Sequence, residues 1–223
     1  MIKYAIFDND GTLYRMPKEF PADVVGRMIS FLSSRLDKPE HEIAAERKRL
    51  IEREGVSSTE YVFGKEYEIE YDEFLKNTYL SVELEKYGIC RDERLRSMLE
   101  KISLPKSVLT NNPSEFARKI LTSIGIEDMF EYIIGSREMN YQLKPRKEAF
   151  LNALEITGYD PEETIFIDDI PEFHIYAKEL GITTVLVGQK AGGYPHIDHY
   201  IEEIYDLNRI LGGESDAGHN NRH

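Results

Sequence analysis

The segment Lys3-Tyr-Ala-Ile-Phe-Asp8-Asn9-Asp10-Gly11-Thr12-Leu13-Tyr14 constrains this chain more than any other. An apolar run too short for a helix meets two carboxylates one residue apart, and Gly11 and Thr12 follow at once. That pattern predicts a buried strand ending in a turn that presents Asp8 and Asp10 to a cleft. Two carboxylates so close repel each other unless a cation or a proton sits between them.

Downstream of Tyr14 the pattern turns helical. Pro21 marks a start, and Val24, Val25, Met28, Ile29, Leu32 and Leu36 recur at helical spacing. Asp37, with Glu40 three residues later, reads as the capping box of a second helix ending near Gly55. Phe63, Tyr67, Tyr71 and Phe74 extend an apolar stripe whose spacing predicts packing, broken by the acidic segment Glu66 to Glu73, and a further helix is expected over Asp92 to Lys101. No strand is expected between Tyr14 and Leu104.

From Pro105 the rhythm changes. Short strands are expected at 107–110, 132–134, 164–168 and 183–187. Helices are expected up to Ile124, from Lys144-Pro145 to Thr157, and from Pro171 to Leu180, each stopped by a glycine. Strands alternating with helices predict an α/β fold, a doubly wound parallel sheet. The expected division is a Rossmann-like core of residues 1–15 and 104–211, a helical cap of residues 16–103 inserted after the first strand, and a flexible polar tail of residues 212–223. Ligands of such sheets bind at the carboxyl ends of the strands, so an insert leaving that edge is placed to act as a lid.

Four sequence-distant places lie at predicted strand ends: Asp8 with Asp10, Thr110 with Asn111, Lys144, and Asp168 with Asp169. Four carboxylates in one cleft call for a hard divalent cation such as Mg2+, commonly held by carboxylates together with substrate phosphate. Thr110 and the backbone N–H groups after it suit phosphoryl oxygens, and Lys144 adds the positive charge that a transferring phosphoryl group needs.

In order and context these segments resemble the four motifs of the haloacid dehalogenase superfamily. They read Asp8-Asn9-Asp10-Gly11-Thr12, Val108-Leu109-Thr110-Asn111, Lys144-Pro145 and Phe166-Ile167-Asp168-Asp169. The helical insert resembles that family's cap. Tyr71-Asp72-Glu73-Phe74 and Val185-Leu186-Val187-Gly188 are further similar to its pyrimidine 5′-nucleotidase-like branch. That branch usually reads Ile and Asn where Asn9 and Gly11 stand, and often Ser and Asn where Ile170 and Phe173 stand.

The resemblance implies a Mg2+-dependent phosphatase of small phosphomonoesters, nucleoside 5′-monophosphates among them. Asp8 would be the nucleophile, forming an aspartyl-phosphate. Asp10 would protonate the leaving oxygen and then activate water. Thr110, the Asn111 backbone and Lys144 would bind the phosphoryl group. Asp8, the Asp10 carbonyl and Asp168 would hold Mg2+, with Asp169 acting through a water. A sugar-phosphate mutase of the same fold and a catalytically silent binding protein are the alternatives. A dehalogenase is disfavoured because it needs no acid at the position of Asp10.

Charge narrows the partners. The formal net charge is −13, with 41 acidic against 28 basic residues. That balance disfavours nucleic acid and anionic membrane surfaces, though a metal ion can reverse the local field for a small anionic substrate. Cys90 is the single cysteine, which fits a reducing cytoplasm. No apolar run reaches membrane-spanning length and no secretory pattern leads the sequence, so a cytoplasmic protein is expected. His196 and His199 read as a loop pair. The sequence carries no signal for an oligomeric state.

Overall fold

A computed structural model describes residues 1–211. The expected tail of residues 212–223 lies outside the described residues. Six parallel strands form one sheet: β1 (Tyr4–Phe7), β2 (Lys106–Leu109), β3 (Tyr132–Ile134), β4 (Thr164–Asp168), β5 (Thr183–Val187) and β6 (His199–Ile201). Their order is β3-β2-β1-β4-β5-β6. The chain runs outward from β1 through β2 to β3, then restarts on the other side of β1 with β4. That reversal creates a crevice at the carboxyl ends of β1, β2 and β4.

β1 and the stretch Ile165 to Ile167 of β4 read as continuous apolar runs because both faces of the sheet are covered there. In β1, Ala5 and Phe7 join one core cluster while Tyr4 and Ile6 join the other. In β4, Ile165 and Ile167 go to the first face and Phe166 to the second, where its ring meets Phe150 edge-on at 5.1 Å. Alternation of side chains along each strand thus splits one hydrophobic segment between two layers.

Between β1 and β2 the described structure is helical: α1 (Phe20–Leu36), α2 (Glu40–Glu54), α3 (Thr59–Tyr67), α4 (Tyr71–Asn77) and α5 (Glu93–Glu100), with short 3₁₀ turns. Val24, Met28, Leu32, Ile43, Leu50 and Phe63 bury its interior. The core then supplies α6 (Ser114–Ile124), α7 (Lys147–Thr157), α8 (His174–Leu180) and α9 (Asn208–Leu211).

The structure corrects the sequence reading in three places. Asp37 caps no second helix. It ends α1 in the left-handed conformation at φ 53°, which Asp tolerates, while Pro39 precedes α2. The break expected in the stripe from Phe63 to Phe74 is present, by contrast: two helices are separated where Glu68 turns left-handed at φ 53°. The helix after Lys144 starts later, at Lys147. His199 is not in a loop but in β6, a strand too short and polar to announce itself. It forms because the edge of β5 offers its backbone, in register Val185 to His199.

His174 opens α8 fully buried, with Nδ1 at 3.0 Å from the Ile170 carbonyl and Nε2 at 3.0 Å from that of Val185. Burial pushes its pKa from 6.5 down to about 4. The unfolded chain therefore takes up a proton that the folded chain refuses. Stability from this group is complete above pH 6.5 and is lost as pH falls toward 4, by roughly 3 kcal/mol. A His174→Asn variant, which cannot titrate, gives the comparison. The thermal advantage of the wild type over it should shrink between pH 6.5 and 4.5. An advantage constant over that range would remove this account.

Candidate active site

Backbone pairing continues past the strand ends and sets the site rigidly. The Asp8 N–H donates to Ile167 O at 2.8 Å, and the Thr110 N–H donates to Ile134 O at 2.9 Å. Asp168 is the last residue of β4, and its Oδ1 accepts from the Ile170 N–H at 2.8 Å. These three strands bring Asp8, Thr110 and Asp168 to one edge.

Lys144 completes the cluster from the loop between β3 and α7. Its fully buried ammonium donates to Asp8 Oδ1 and to Asp168 Oδ2, each at 2.7 Å. Asn111 holds that loop in place by a reciprocal pair with the Lys144 backbone. Its Nδ2 donates to Lys144 O at 2.9 Å, and its Oδ1 accepts from Lys144 N at 2.8 Å. The Asn111 side chain is thus spent on scaffolding the lysine.

Asp10 points elsewhere. Its Oδ1 accepts from the Tyr14 hydroxyl at 2.6 Å, and its Oδ2 accepts from Thr110 Oγ1 at 3.1 Å and Asn112 Nδ2 at 3.0 Å. The two carboxylates that sit side by side in sequence therefore face different partners. Asn112 is a partner of Asp10 that sequence reasoning passed over, and Tyr14, which follows directly on the turn, is the other. The turn in which Leu13 N–H donates to Asn9 O at 3.1 Å brings Tyr14 back over Asp10, so spacing of four residues was the available signal.

Gly11 lets Asp169 close the other side. At φ 99° it adopts a conformation that other residues avoid, and a Cβ there would lie 2.4 Å from Asp169 Oδ2. Thr12 Oγ1 donates to Asp169 Oδ1 at 3.3 Å.

Burial dominates the electrostatics. It holds the Asp8 and Asp168 carboxyls above the usual carboxylate range, against the opposing pull of Lys144. Asp169 is pushed up to about 6, by burial first and then by the charge of Asp8. Lys144 loses solvation too, but Asp168 and Asp8 outweigh that loss and hold its ammonium charged. Asp8, Asp168 and Asp169 each offer an oxygen within 4.8 Å of the others. They are the one such group of potential ligands among the described residues. Three carboxylates against one ammonium leave negative charge uncompensated. This all-oxygen donor set suits a hard divalent cation. The Asp10 carboxylate is not part of that group.

The helical segment meets the rest of the chain through polar contacts as well. Glu60, buried, accepts from Ser136 Oγ at 3.1 Å, and the Tyr71 hydroxyl donates to Glu115 at 2.9 Å. Cys90 is exposed and stands apart from the carboxylate cluster. No helix among the described residues is long and apolar enough to cross a membrane.

Comparison with known proteins bears on the family and the fold. A family model described as haloacid dehalogenase-like hydrolase matches residues 5–187. A probable phosphoglycolate phosphatase of Pseudomonas putida is 28% identical over 120 residues, covering 53% of this chain and 47% of that protein. The chain thus spans about half the length of the curated relatives it matches. A HAD phosphatase from Thermococcus onnurineus aligns over 96% of this chain and 99% of its own, with TM-score 0.63 and 24% identity. A 2-haloacid dehalogenase from Pseudomonas syringae pv. Tomato aligns over 96% and 100%, with TM-score 0.68 and 17% identity. At such identities the two structures share the fold alone.

Proposed function

This chain belongs to the haloacid dehalogenase-like hydrolase family, and on that premise we propose that it is a Mg2+-dependent phosphatase of a small phosphomonoester. The observation that carries the reading is the division of labour at the sheet edge. Lys144 bridges Asp8 and Asp168, while Asp10 is held apart by Tyr14, Thr110 and Asn112. This separation supports reading Asp8 as the attacking carboxylate and Asp10 as the one that transfers the proton.

Asp8 attacks phosphorus, and the bond to the leaving oxygen breaks as an aspartyl-phosphate forms. Asp10 gives the departing oxygen its proton, then takes one from the water that hydrolyses the intermediate to inorganic phosphate. Thr110 and the Asn111 backbone hold phosphoryl oxygens, and Lys144 balances the charge on Asp8 and the phosphoryl group. Asp8, Asp168 and the Asp10 carbonyl would hold Mg2+, with Asp169 acting through a water. When bound, the ion supplies positive charge to the phosphoryl oxygens. Residues 1–15 and 104–211 serve as the catalytic core and residues 16–103 as its cap. A relative named as a phosphoglycolate phosphatase supports a small acid as the alcohol half of the ester.

The test is phosphate release from a panel of nucleoside monophosphates, sugar phosphates, phosphoglycolate and an aryl phosphate. Release should require Mg2+, stop on chelation and return when Mg2+ is restored. Release indifferent to chelation, or none from any member, would sink the reading.

A further inference from the structure

Where the helical segment meets the core lies a carboxyl that the reaction above does not use. Glu60 stands in the first turn of α3 and is only 4% exposed. A glutamate in that position ordinarily stays in solvent, where the helix dipole favours it. Here both carboxyl oxygens are met by hydroxyls instead. Oε1 accepts from Ser136 Oγ at 3.1 Å, and Oε2 accepts from the Tyr79 hydroxyl at 3.4 Å. Burial holds the carboxyl above its ordinary range in spite of these donors. A carboxyl enclosed in this way adds less to stability than an apolar side chain of similar volume, so packing alone does not account for Glu60.

Its partner leads to the site. Ser136 follows β3, is fully buried, and donates its N–H to Asn112 O at 2.9 Å. Asn112 Nδ2 donates to Asp10 Oδ2 at 3.0 Å. The Asn112 N–H donates to Thr110 Oγ1 at 3.2 Å, the hydroxyl that itself donates to Asp10. Three hydrogen bonds thus run from Glu60 to Asp10.

That path has little slack. A Cβ on Gly135 would stand 2.3 Å from Ser114 N and 2.7 Å from Asn112 O, so the turns after β2 and β3 lie backbone against backbone. Glu138 clamps the same two turns, accepting from the Gly135 N–H and from Ser114 Oγ, each at 2.9 Å. A displacement of Ser136 therefore carries Asn112 with it. Tyr79 supports the other oxygen of Glu60. Its ring packs on Phe116 of α6 with centroids 4.9 Å apart. Burial first, and then negative charges that include Glu60 and Asp10, push its hydroxyl well above its ordinary value.

We propose that Glu60 is a positioning residue for proton transfer: from α3 it fixes Ser136, through Ser136 it fixes Asn112, and through Asn112 it aims the Asp10 carboxyl. The helical segment thereby takes part in the chemical step without touching the reacting atoms. The proposal rests on the phosphatase reading above.

The experiment measures kcat/KM, with saturating Mg2+, for the best alkyl phosphate of the panel above and for nitrophenyl phosphate. An alkoxide leaving group needs a proton from Asp10, whereas nitrophenolate departs without one. Glu60→Ala should lose about 10- to 100-fold on the alkyl ester, the scale of a misplaced catalytic group, and no more than about threefold on the aryl ester. Glu60→Gln, whose amide oxygen can still accept from Ser136 Oγ, should recover most of that loss. Ser136→Ala should repeat the selective loss, and the double variant should lose no more than the worse single one. Equal losses on the two esters, or a Gln variant as slow as the Ala variant, would overturn the positioning role and leave Glu60 a structural residue. A wild type that hydrolyses only the aryl ester has no proton to deliver, which would overturn the role alone. A wild type that hydrolyses neither would overturn the phosphatase reading, and the role with it.

Discussion

Replacing Asp8 by Asn is expected to abolish turnover while leaving the fold intact. The amide keeps the shape of the carboxylate and can still accept from the Lys144 ammonium, which now donates to Asp8 Oδ1 at 2.7 Å. It has no anionic oxygen with which to attack phosphorus. Loss of an essential nucleophile typically lowers kcat on the order of 10⁴-fold or more. The buried cluster loses one of the carboxylates that crowd a single ammonium, so the melting temperature should hold or rise. Phosphate release and a thermal melt on the same preparation decide the matter. Activity near that of the wild type would remove Asp8 as the nucleophile. Lost activity accompanied by a collapsed melt would reduce the residue to a structural one.

Replacing Lys144 by Met should produce the largest loss of stability of any single change at the site. Its side chain is fully enclosed, and its ammonium touches two buried carboxylates. Methionine fills much of the volume but leaves Asp8 and Asp168 facing each other without a counter-charge. Breaking a buried pair in this way costs about 3 to 5 kcal/mol. For a chain of this size that corresponds to a drop of about 10 °C or more in Tm. Activity should fall as well, because the charge that balances the phosphoryl group is gone. A urea titration of both proteins without metal measures the stability term. A difference below about 1 kcal/mol would mean that solvent, rather than the ammonium, compensates the carboxylates.

The parallel sheet and the carboxylates at its strand ends were legible because their signals are local. An apolar run that stops at Asp8 or Asp168 reports its own burial and its own end, and alternation with helices reports the winding. Asp8 and Asp168 meet at strand ends as predicted, whereas Lys144 reaches them from the loop between β3 and α7 and not from a strand end. The missed features depend on partners distant in sequence or on backbone turns. β6 exists because β5 has an open edge, and nothing in His199-Tyr200-Ile201 demands a strand. Asp37 looked like a helix start because its side chain suits a cap, and the left-handed end of α1 claimed it instead.

By itself, the sequence determined which residues can do chemistry and the edge on which they stand. Tertiary structure decided how the charges are distributed among them. Asp8 and Asp10 are one residue apart in the chain, yet Lys144 claims the first, while Tyr14, Thr110 and Asn112 claim the second. The side chains of the Asp-x-Asp turn leave it toward different elements, and which element supplies each donor depends on β2 and the loop after β3.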